Sequence, residues 1–398
     1  MKVNKILFLL EYLIAGALVL DCRSIWTASP MFSDKVAYLD VIIILLSGIG
    51  ICCINQMNIS GIHLEILILF AIYLFIYGSI NPTKRINYFA YMTIFVLFLY
   101  MALSDRAEIK KILIAYSNLI FIIAIVSLIF WILGTRLNVI HPTNSIASVW
   151  SDSGLALYKP SYYNLYFETQ ADNLSFLRNS AIYTESPMAG LNFSLAFLIK
   201  LFLQKKVTIS KIIILVLAIF STHSTTAYLV VILTILFKLF FYKNKTIRNL
   251  LRSITVILIP ISLFIIFIML KSKFSSFSGG IRTDDYKVGF QIWKDYPIFG
   301  CGFNNDSVIQ SYMGSWRIVN NGFSNSIMYV LATGGIYLEI IYIVMFLKGL
   351  LISIKNKKID NVFLYAVFFL IWGVMIVPYN YVIVLMFVLM GTTSTRKE

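Results

Sequence analysis

Twelve apolar runs divide this chain, near residues 5–20, 36–54, 62–80, 86–103, 112–134, 188–203, 209–222, 225–242, 254–271, 324–347, 361–376 and 378–391. A helix rises 1.5 Å per residue, so about 20 apolar residues cross roughly 30 Å of hydrocarbon. No water reaches the backbone there, and a helix satisfies its own N–H and C=O groups. The run Val41–Ile51 carries no charge at all. Only 13% of the residues are charged, against about a quarter in soluble domains, which excludes an ordinary soluble protein. The expectation is an all-α integral membrane protein, one polytopic domain over 1–398 with about 12 transmembrane helices. The tightest connections fall at Ser221–Ser224 and Val377–Pro378. No small-residue cleavage site follows the first run, so that run reads as a retained helix.

A formal charge of +15 would suit nucleic acid in a soluble chain, but here it follows the loops. Of the 33 basic residues, 16 fall in alternate short connections: Arg106/Lys110/Lys111, Lys200/Lys205/Lys206/Lys211, Lys238/Lys243/Lys245/Arg248/Arg252 and Lys348/Lys355/Lys357/Lys358. Lys2/Lys5 and Arg396/Lys397 lie on the same side, which places both termini in the cytoplasm. Two long loops, 135–187 and 272–323, then share the outer face and are expected to contain short helices. Loops of that length usually carry function, so the chemistry is expected there. Four scattered cysteines make neither a metal site nor a disulfide framework, and nothing brings Cys22 and Cys301 together. The three histidines (His63, His141, His223) are far apart, and no P-loop or dinucleotide fingerprint appears. No metal, cofactor or nucleic acid is expected.

The first long loop ends Leu177-Arg178-Asn179-Ser180-Ala181-Ile182-Tyr183-Thr184-Glu185-Ser186-Pro187. Ser-Pro before an apolar run starts a helix, with Ser186 as N-cap and Pro187 in the first helical position. Arg178 and Glu185 then stand above a helix N-terminus, whose free N–H groups and partial positive charge suit an anion. Equally, the two pair with each other or with solvent. The turn Ser221-Thr222-His223-Ser224-Thr225-Thr226 opens another helix on that face. His223 there accepts a proton, holds a phosphate oxygen, or is simply interfacial beside capping hydroxyls. In the second loop, Thr283-Asp284-Asp285 reads as a helix N-terminus with Arg282 beside it. That helix is expected to be short, amphipathic and laid on the membrane surface, with Trp293 at the interface. Arg317 precedes Asn320-Asn321-Gly322-Phe323-Ser324-Asn325, where the next span begins. Three arginines beside three helix starts make an anion-attracting site at the bilayer surface. A guanidinium bonds two oxygens at once, so a lipid phosphate or pyrophosphate is the natural ligand.

In this order, the pieces resemble the O-antigen polymerase and O-antigen ligase superfamily of bacterial inner-membrane proteins. The resemblance covers roughly residues 170–340. It rests on Arg178 with Tyr183-Thr184-Glu185-Ser186-Pro187, Ser224-Thr225-Thr226-Ala227, Ser278-Gly279-Gly280-Ile281-Arg282 with Trp293, Pro297-Ile298-Phe299-Gly300-Cys301-Gly302, and Ser324-Asn325 with Gly334-Gly335. It implies a metal-independent glycosyltransferase at the periplasmic face, moving a sugar chain from undecaprenyl pyrophosphate to an acceptor hydroxyl. It implies that Arg178 and Arg282 hold the pyrophosphate, where charge develops as it leaves. Ligases carry a His-Asn pair where this chain has Ser324-Asn325, and a glycine where it has Leu338. That departure implies a polymerase of O-antigen or capsule repeat units, rather than a ligase. Glu185 is the first choice for general base and His223 the second. Tyr183, Trp293, Arg317, Ser324 and Asn325 are the expected substrate contacts. The expected partners are the lipid-linked oligosaccharide, membrane lipid and a chain-length co-polymerase.

A flippase of the lipid-linked oligosaccharide is the alternative from another class. It would line a membrane-depth cavity with ionisable groups and show repeats or broken helices. Here the expected intramembrane charges are few (Glu11, Glu65, Glu339), and no internal repeat is found.

Overall fold

The computed structural model describes residues 2–81, 83–148, 157–169, 177–241, 249, 251–260, 264, 268, 271, 277–317 and 322–393. In chain order its helices are α1 (Lys2–Asp21), α2 (Ile25–Ala28), α3 (Ser33–Ile54), α4 (Gly61–Ile80), α5 (Arg85–Ser104) and α6 (Arg106–Phe130). A π-helical turn, Trp131–Arg136, ends α6. Then come α7 (Ser186–Phe202), α8 (Ile209–Ser221), α9 (Thr225–Phe240), α10 (Leu251–Pro260), α11 (Phe277–Asp295) and α12 (Asp306–Tyr312). Last are α13 (Ser326–Lys355), α14 (Ile359–Val374) and α15 (Tyr381–Gly391). An apolar helix stands at each of the twelve expected runs; past Pro260, most of the ninth run lies outside the described residues. Six of the twelve (α1, α3, α4, α5, α6 and α13) are long and apolar enough to cross a membrane. This is a multi-pass, all-α membrane protein.

Burial varies strongly between helices. From Val382 to Gly391, α15 is buried on every side, the pattern of a helix at the centre of a bundle. It packs against α1, α5, α6 and α13, so its short length is set by protein around it rather than by lipid. Phe387 there meets Tyr342 and Trp372 edge-on, with ring centroids 4.8 and 5.1 Å away. By contrast α4 exposes Ile62, Leu64, Ile68, Leu69, Ile72 and Phe75, an apolar edge suited to lipid.

The connections sort into two faces, as charge placement predicts. On one face, the Tyr381 N–H donates to Asp21 (2.7 Å), Arg178 reaches the carbonyl of Thr222 (2.9 Å), and Lys84 pairs with Asp306 (3.8 Å). On the other, Arg106 bonds Thr393 (3.1 Å) and Lys238 pairs with Asp360 (3.0 Å). Both long loops lie on the first face, called the loop face below. Lys243, Lys245, Arg248, Asn320, Asn321, Arg396 and Lys397 lie outside the described residues.

The expected short helices occur in the second loop, as α12 and a 3-10 turn at Ser315–Arg317. Over its described residues the first loop is instead an antiparallel sheet, β1 (Asn144–Ser148), β2 (Leu157–Tyr162) and β3 (Tyr166–Phe167), in that order. Its register pairs Asn144 with Ser161 and Tyr162 with Tyr166. Tyr163 and Asn164 turn the chain with positive φ, a hairpin signal that an aromatic-rich sequence hides. Two helix starts also differ from expectation. The N-cap of α7 is Glu185, with Ser186 already helical. Helix α11 begins six residues before Thr283, whose hydroxyl donates back to Gly279 O (3.1 Å) inside the helix. Its apolar edge, Val288 and Ile292, packs with Ile309, Tyr329 and Ala332 instead of facing lipid.

Helix α13 is broken at Gly335 (φ 59°, ψ −166°). The loop Pro297–Gly302 enters the break. The N–H groups of Cys301 and Gly302 donate to Ala332 O (2.8 Å) and Thr333 O (3.1 Å), while those of Ile336 and Tyr337 donate to Pro297 O (3.1 Å) and Ile298 O (3.0 Å). Four backbone groups that a break would strand in an apolar layer are thus satisfied by another segment. Both approaching residues must be glycine. A Cβ on Gly300 would lie 2.4 Å from Thr333 C, and one on Gly335 2.3 Å from Ile298 O. Two glycine motifs, 35 positions apart in sequence, are therefore one construction, and it hangs the second loop from a spanning helix.

Candidate active site

The last segment of the first loop, 177–185, is stitched to three neighbours. Buried Asn179 donates from Nδ2 to Ser127 Oγ (3.2 Å) and Ser221 Oγ (2.8 Å), and its N–H donates to Ser221 O (3.0 Å). Its Oδ1 accepts from the N–H of Ala181, which has positive φ. Arg178 donates from Nε to Thr222 O (2.9 Å) and from Nη2 to His223 O (2.8 Å), tying the segment to the α8–α9 turn. On the other side the Ile25 N–H donates to Ile182 O (2.8 Å) and the Thr184 N–H to Arg23 O (3.1 Å). Ser24 forms a β-bridge with Tyr183. These bonds fix Arg23 beside the segment that ends in Glu185.

In the second loop, Arg317 is 1% exposed and donates to Asp285 Oδ1 (2.5 Å), Asp284 Oδ2 (3.2 Å) and Gly322 O (2.7 Å). It welds α11 to the chain entering α13. Burial pushes the Asp285 carboxyl up from its usual range, while contacts from Ser324 and the Arg317 charge oppose the shift. Asn325 caps α13, accepting from the Met328 N–H (2.8 Å). Ser326 Oγ accepts from the Val377 N–H (2.9 Å), joining α13 to the chain after α14.

Arg282 projects from α11 between these two systems. Its Nη1 donates to Val374 O (3.0 Å), and its buried Nε has no acceptor among the described residues. Burial lowers its pKa; the carboxylates of Asp285 and Glu185 oppose that. Arg23 is lowered by burial in the same way, with the carboxylates of Glu185 and Asp306 opposing it. Both remain cations, as guanidiniums do at any ordinary pH. Glu185 therefore lies in the field of two arginines from different parts of the chain. Beside them, Tyr329 Oη donates to Asp306 (2.8 Å), which also meets Lys84.

The loop face thus brings Glu185, Arg282, Arg317, Ser324 and Asn325 to one region around the starts of α7 and α13. Arg178 and His223 stand together at the α8–α9 turn, with His223 exposed and its ring 6.4 Å from Tyr228. Tyr183 is fully buried beneath the segment. Trp293 is half-buried and donates from Nε1 to Pro297 O (3.2 Å). Sequence reasoning missed Arg23, Lys84 and Asp306. A signal for Arg23 was present: it is an arginine directly after an apolar run, on the side where basic residues are sparse. Among the described residues no group of three or more His, Cys, Asp or Glu is placed to hold a metal ion.

The sequence profile of the O-antigen ligase family matches residues 211–343, from α8 through most of α13. This agrees with the O-antigen polymerase and ligase superfamily that the motifs resemble. The match takes in His223, Arg282, Trp293, Arg317, Ser324, Asn325 and both halves of the helix break, while Arg23, Arg178, Tyr183 and Glu185 precede it. No curated protein matches the chain. The family indicates activity of the O-antigen ligase or polymerase type, glycosyltransferase-like and directed at lipid-linked polysaccharide.

Proposed function

We propose that this chain, carrying an O-antigen ligase-family domain, is a polymerase that joins repeat units of a surface polysaccharide. The donor is a glycan on undecaprenyl pyrophosphate, and the acceptor is a hydroxyl on a lipid-linked repeat unit. The loop face is periplasmic, the membrane is the bacterial inner membrane, and both termini are cytoplasmic. A separate co-polymerase sets chain length. The observation that carries this reading is Arg282: a half-buried arginine on the loop face, within the matched stretch, with a buried Nε unanswered among the described residues and a carboxylate, Glu185, in its field.

In the reaction, the acceptor oxygen bonds to the anomeric carbon of the donor as its bond to the pyrophosphate oxygen breaks. The electron pair leaves with the pyrophosphate, whose growing charge Arg282 meets. The acceptor proton passes to Glu185, with His223 as the other candidate. Arg178, spent on the carbonyls of Thr222 and His223, positions that turn. Arg317 holds α11 in place so that Arg282 points correctly. Tyr183, Trp293, Ser324 and Asn325 shape the walls. Ser324, standing where ligases carry histidine, favours polymerase over ligase. A broken helix such as α13 would suit a flippase, but this break is filled by Pro297–Gly302 of the same chain.

Deleting the protein in a strain that makes its own polysaccharide should leave single repeat units on the lipid anchor or on lipid A-core. Unchanged long polymer would end this reading, and polymer made but unattached would mean ligase. Arg282→Ala should abolish chain growth while the protein still accumulates in the membrane.

A further inference from the structure

Arg23 lies on a short connection between α1 and α2, far in sequence from both long loops. Its position is nonetheless closely specified. Two backbone hydrogen bonds (2.8 and 3.1 Å) join residues 23–25 to residues 182–184 and make Ser24–Tyr183 an antiparallel bridge. Arg23 itself adopts positive φ (58°), a conformation a non-glycine residue holds only when its surroundings impose it. Its guanidinium is withdrawn from water, and the carboxylates that oppose this come from two other segments: Glu185 before α7 and Asp306 at the start of α12. Arg282 reaches the same Glu185 from α11. Glu185 follows directly on the residue bonded to Arg23 and lies in the charge field of both arginines, where a two-centred anion would be held.

We propose that Arg23 is a second diphosphate-binding arginine, and that Glu185 holds the place of the anion between Arg23 and Arg282 until a lipid diphosphate arrives. A diphosphate presents two phosphate groups, and a single guanidinium grips only one of them bidentately. As the diphosphate takes over the two arginines, Glu185 is released to face the acceptor hydroxyl, which couples donor binding to readiness of the base. This rests on the polymerase reading for its substrate, and on the contacts of Arg23 for its site.

The test uses the purified full-length protein in lipid nanodiscs with a defined lipid-linked repeat unit. Undecaprenyl pyrophosphate, undecaprenyl monophosphate and inorganic pyrophosphate serve as competing inhibitors. Arg23→Ala should raise the donor KM and the inhibition constant of undecaprenyl pyrophosphate by about tenfold to a hundredfold, the loss of one charge-assisted contact. The monophosphate constant should move far less, and Arg23→Lys should recover part of the loss. Inorganic pyrophosphate following the lipid diphosphate would place recognition in the headgroup; its indifference would place it in the lipid-linked form, and either agrees with the proposal. Glu185→Gln, which removes the resident anion, should tighten undecaprenyl pyrophosphate while lowering kcat. Should Arg23→Ala fail to fold, Arg23→Lys and Glu185→Gln decide. A wild-type protein that extends the repeat unit, with the diphosphate constant within about twofold in these variants, would overturn the role of Arg23. A wild-type protein that extends nothing would instead overturn the polymerase reading.

Discussion

The two long loops look alike in sequence, each ending in an arginine-bearing segment before an apolar run, yet they are held in opposite ways. The end of the first is fixed by side chains reaching backbone and hydroxyls, with Asn179 and Arg178 gripping the α6 and α8 ends. The second is fixed by backbone threaded into the break of α13 and by Arg317 buried against two aspartates. The difference reassigns the arginines. Where carbonyls lie within reach, as around Arg178, a guanidinium is spent on holding the chain. Around Arg282 the described residues offer one carbonyl, Val374 O at the end of α14, and leave its Nε unanswered. Proximity of an arginine to a helix start does not decide its use; the acceptors around it do.

That contrast can be broken in order of expected effect. Gly335→Ala forces a Cβ to 2.3 Å from Ile298 O at a positive φ. It should cost more than about 3 kcal/mol and leave little folded protein by thermal unfolding in detergent. Retention of wild-type stability would mean that the loop does not enter the break. Arg317→Ala strands Asp285 without its cation and should cost about 3–5 kcal/mol, read as a lowered unfolding midpoint. A purely ligand-binding Arg317 would leave that midpoint unchanged. Asn179→Ala removes three side-chain hydrogen bonds in the first loop and should cost about 1–3 kcal/mol. It should loosen the 177–185 segment to hydrogen exchange while α11 keeps its protection; equal loosening of both would show that the loops are not separately held.

The smallest effect concerns pH. The folded-state pKa of Asp285 is raised above its usual 3.8, so the folded protein binds that proton more tightly than the unfolded chain. Its contribution to stability is full below the usual value and falls as pH rises through the folded one. Asp285→Asn should flatten stability against pH above about 3.8, where the parent declines. A slope unchanged by the substitution would show that Arg317 fully offsets the burial.

Much of this molecule is legible from local pattern. Apart from the break in α13, each spanning helix closes its own hydrogen bonds, so a run such as Val41–Ile51 declares itself with no reference to a partner. The bias of Lys and Arg toward alternate connections likewise separated the two faces, and the loops on one of them, before any contact was known. Which side chains meet across those loops could not be read this way. Gly300 and Gly335 are ordinary turn and helix glycines until one backbone passes through the break in the other. Arg23 is a lone basic residue until the 182–184 segment pairs with it. Hydrophobic periodicity is a property of neighbours in the chain, so the sequence alone determined the apolar helices and set both long loops on one face. Charge partnership and hydrogen-bond closure join residues far apart in the chain, so only the tertiary structure decided that Arg23 lies beside the segment ending in Glu185 while Arg317 is buried against Asp284 and Asp285.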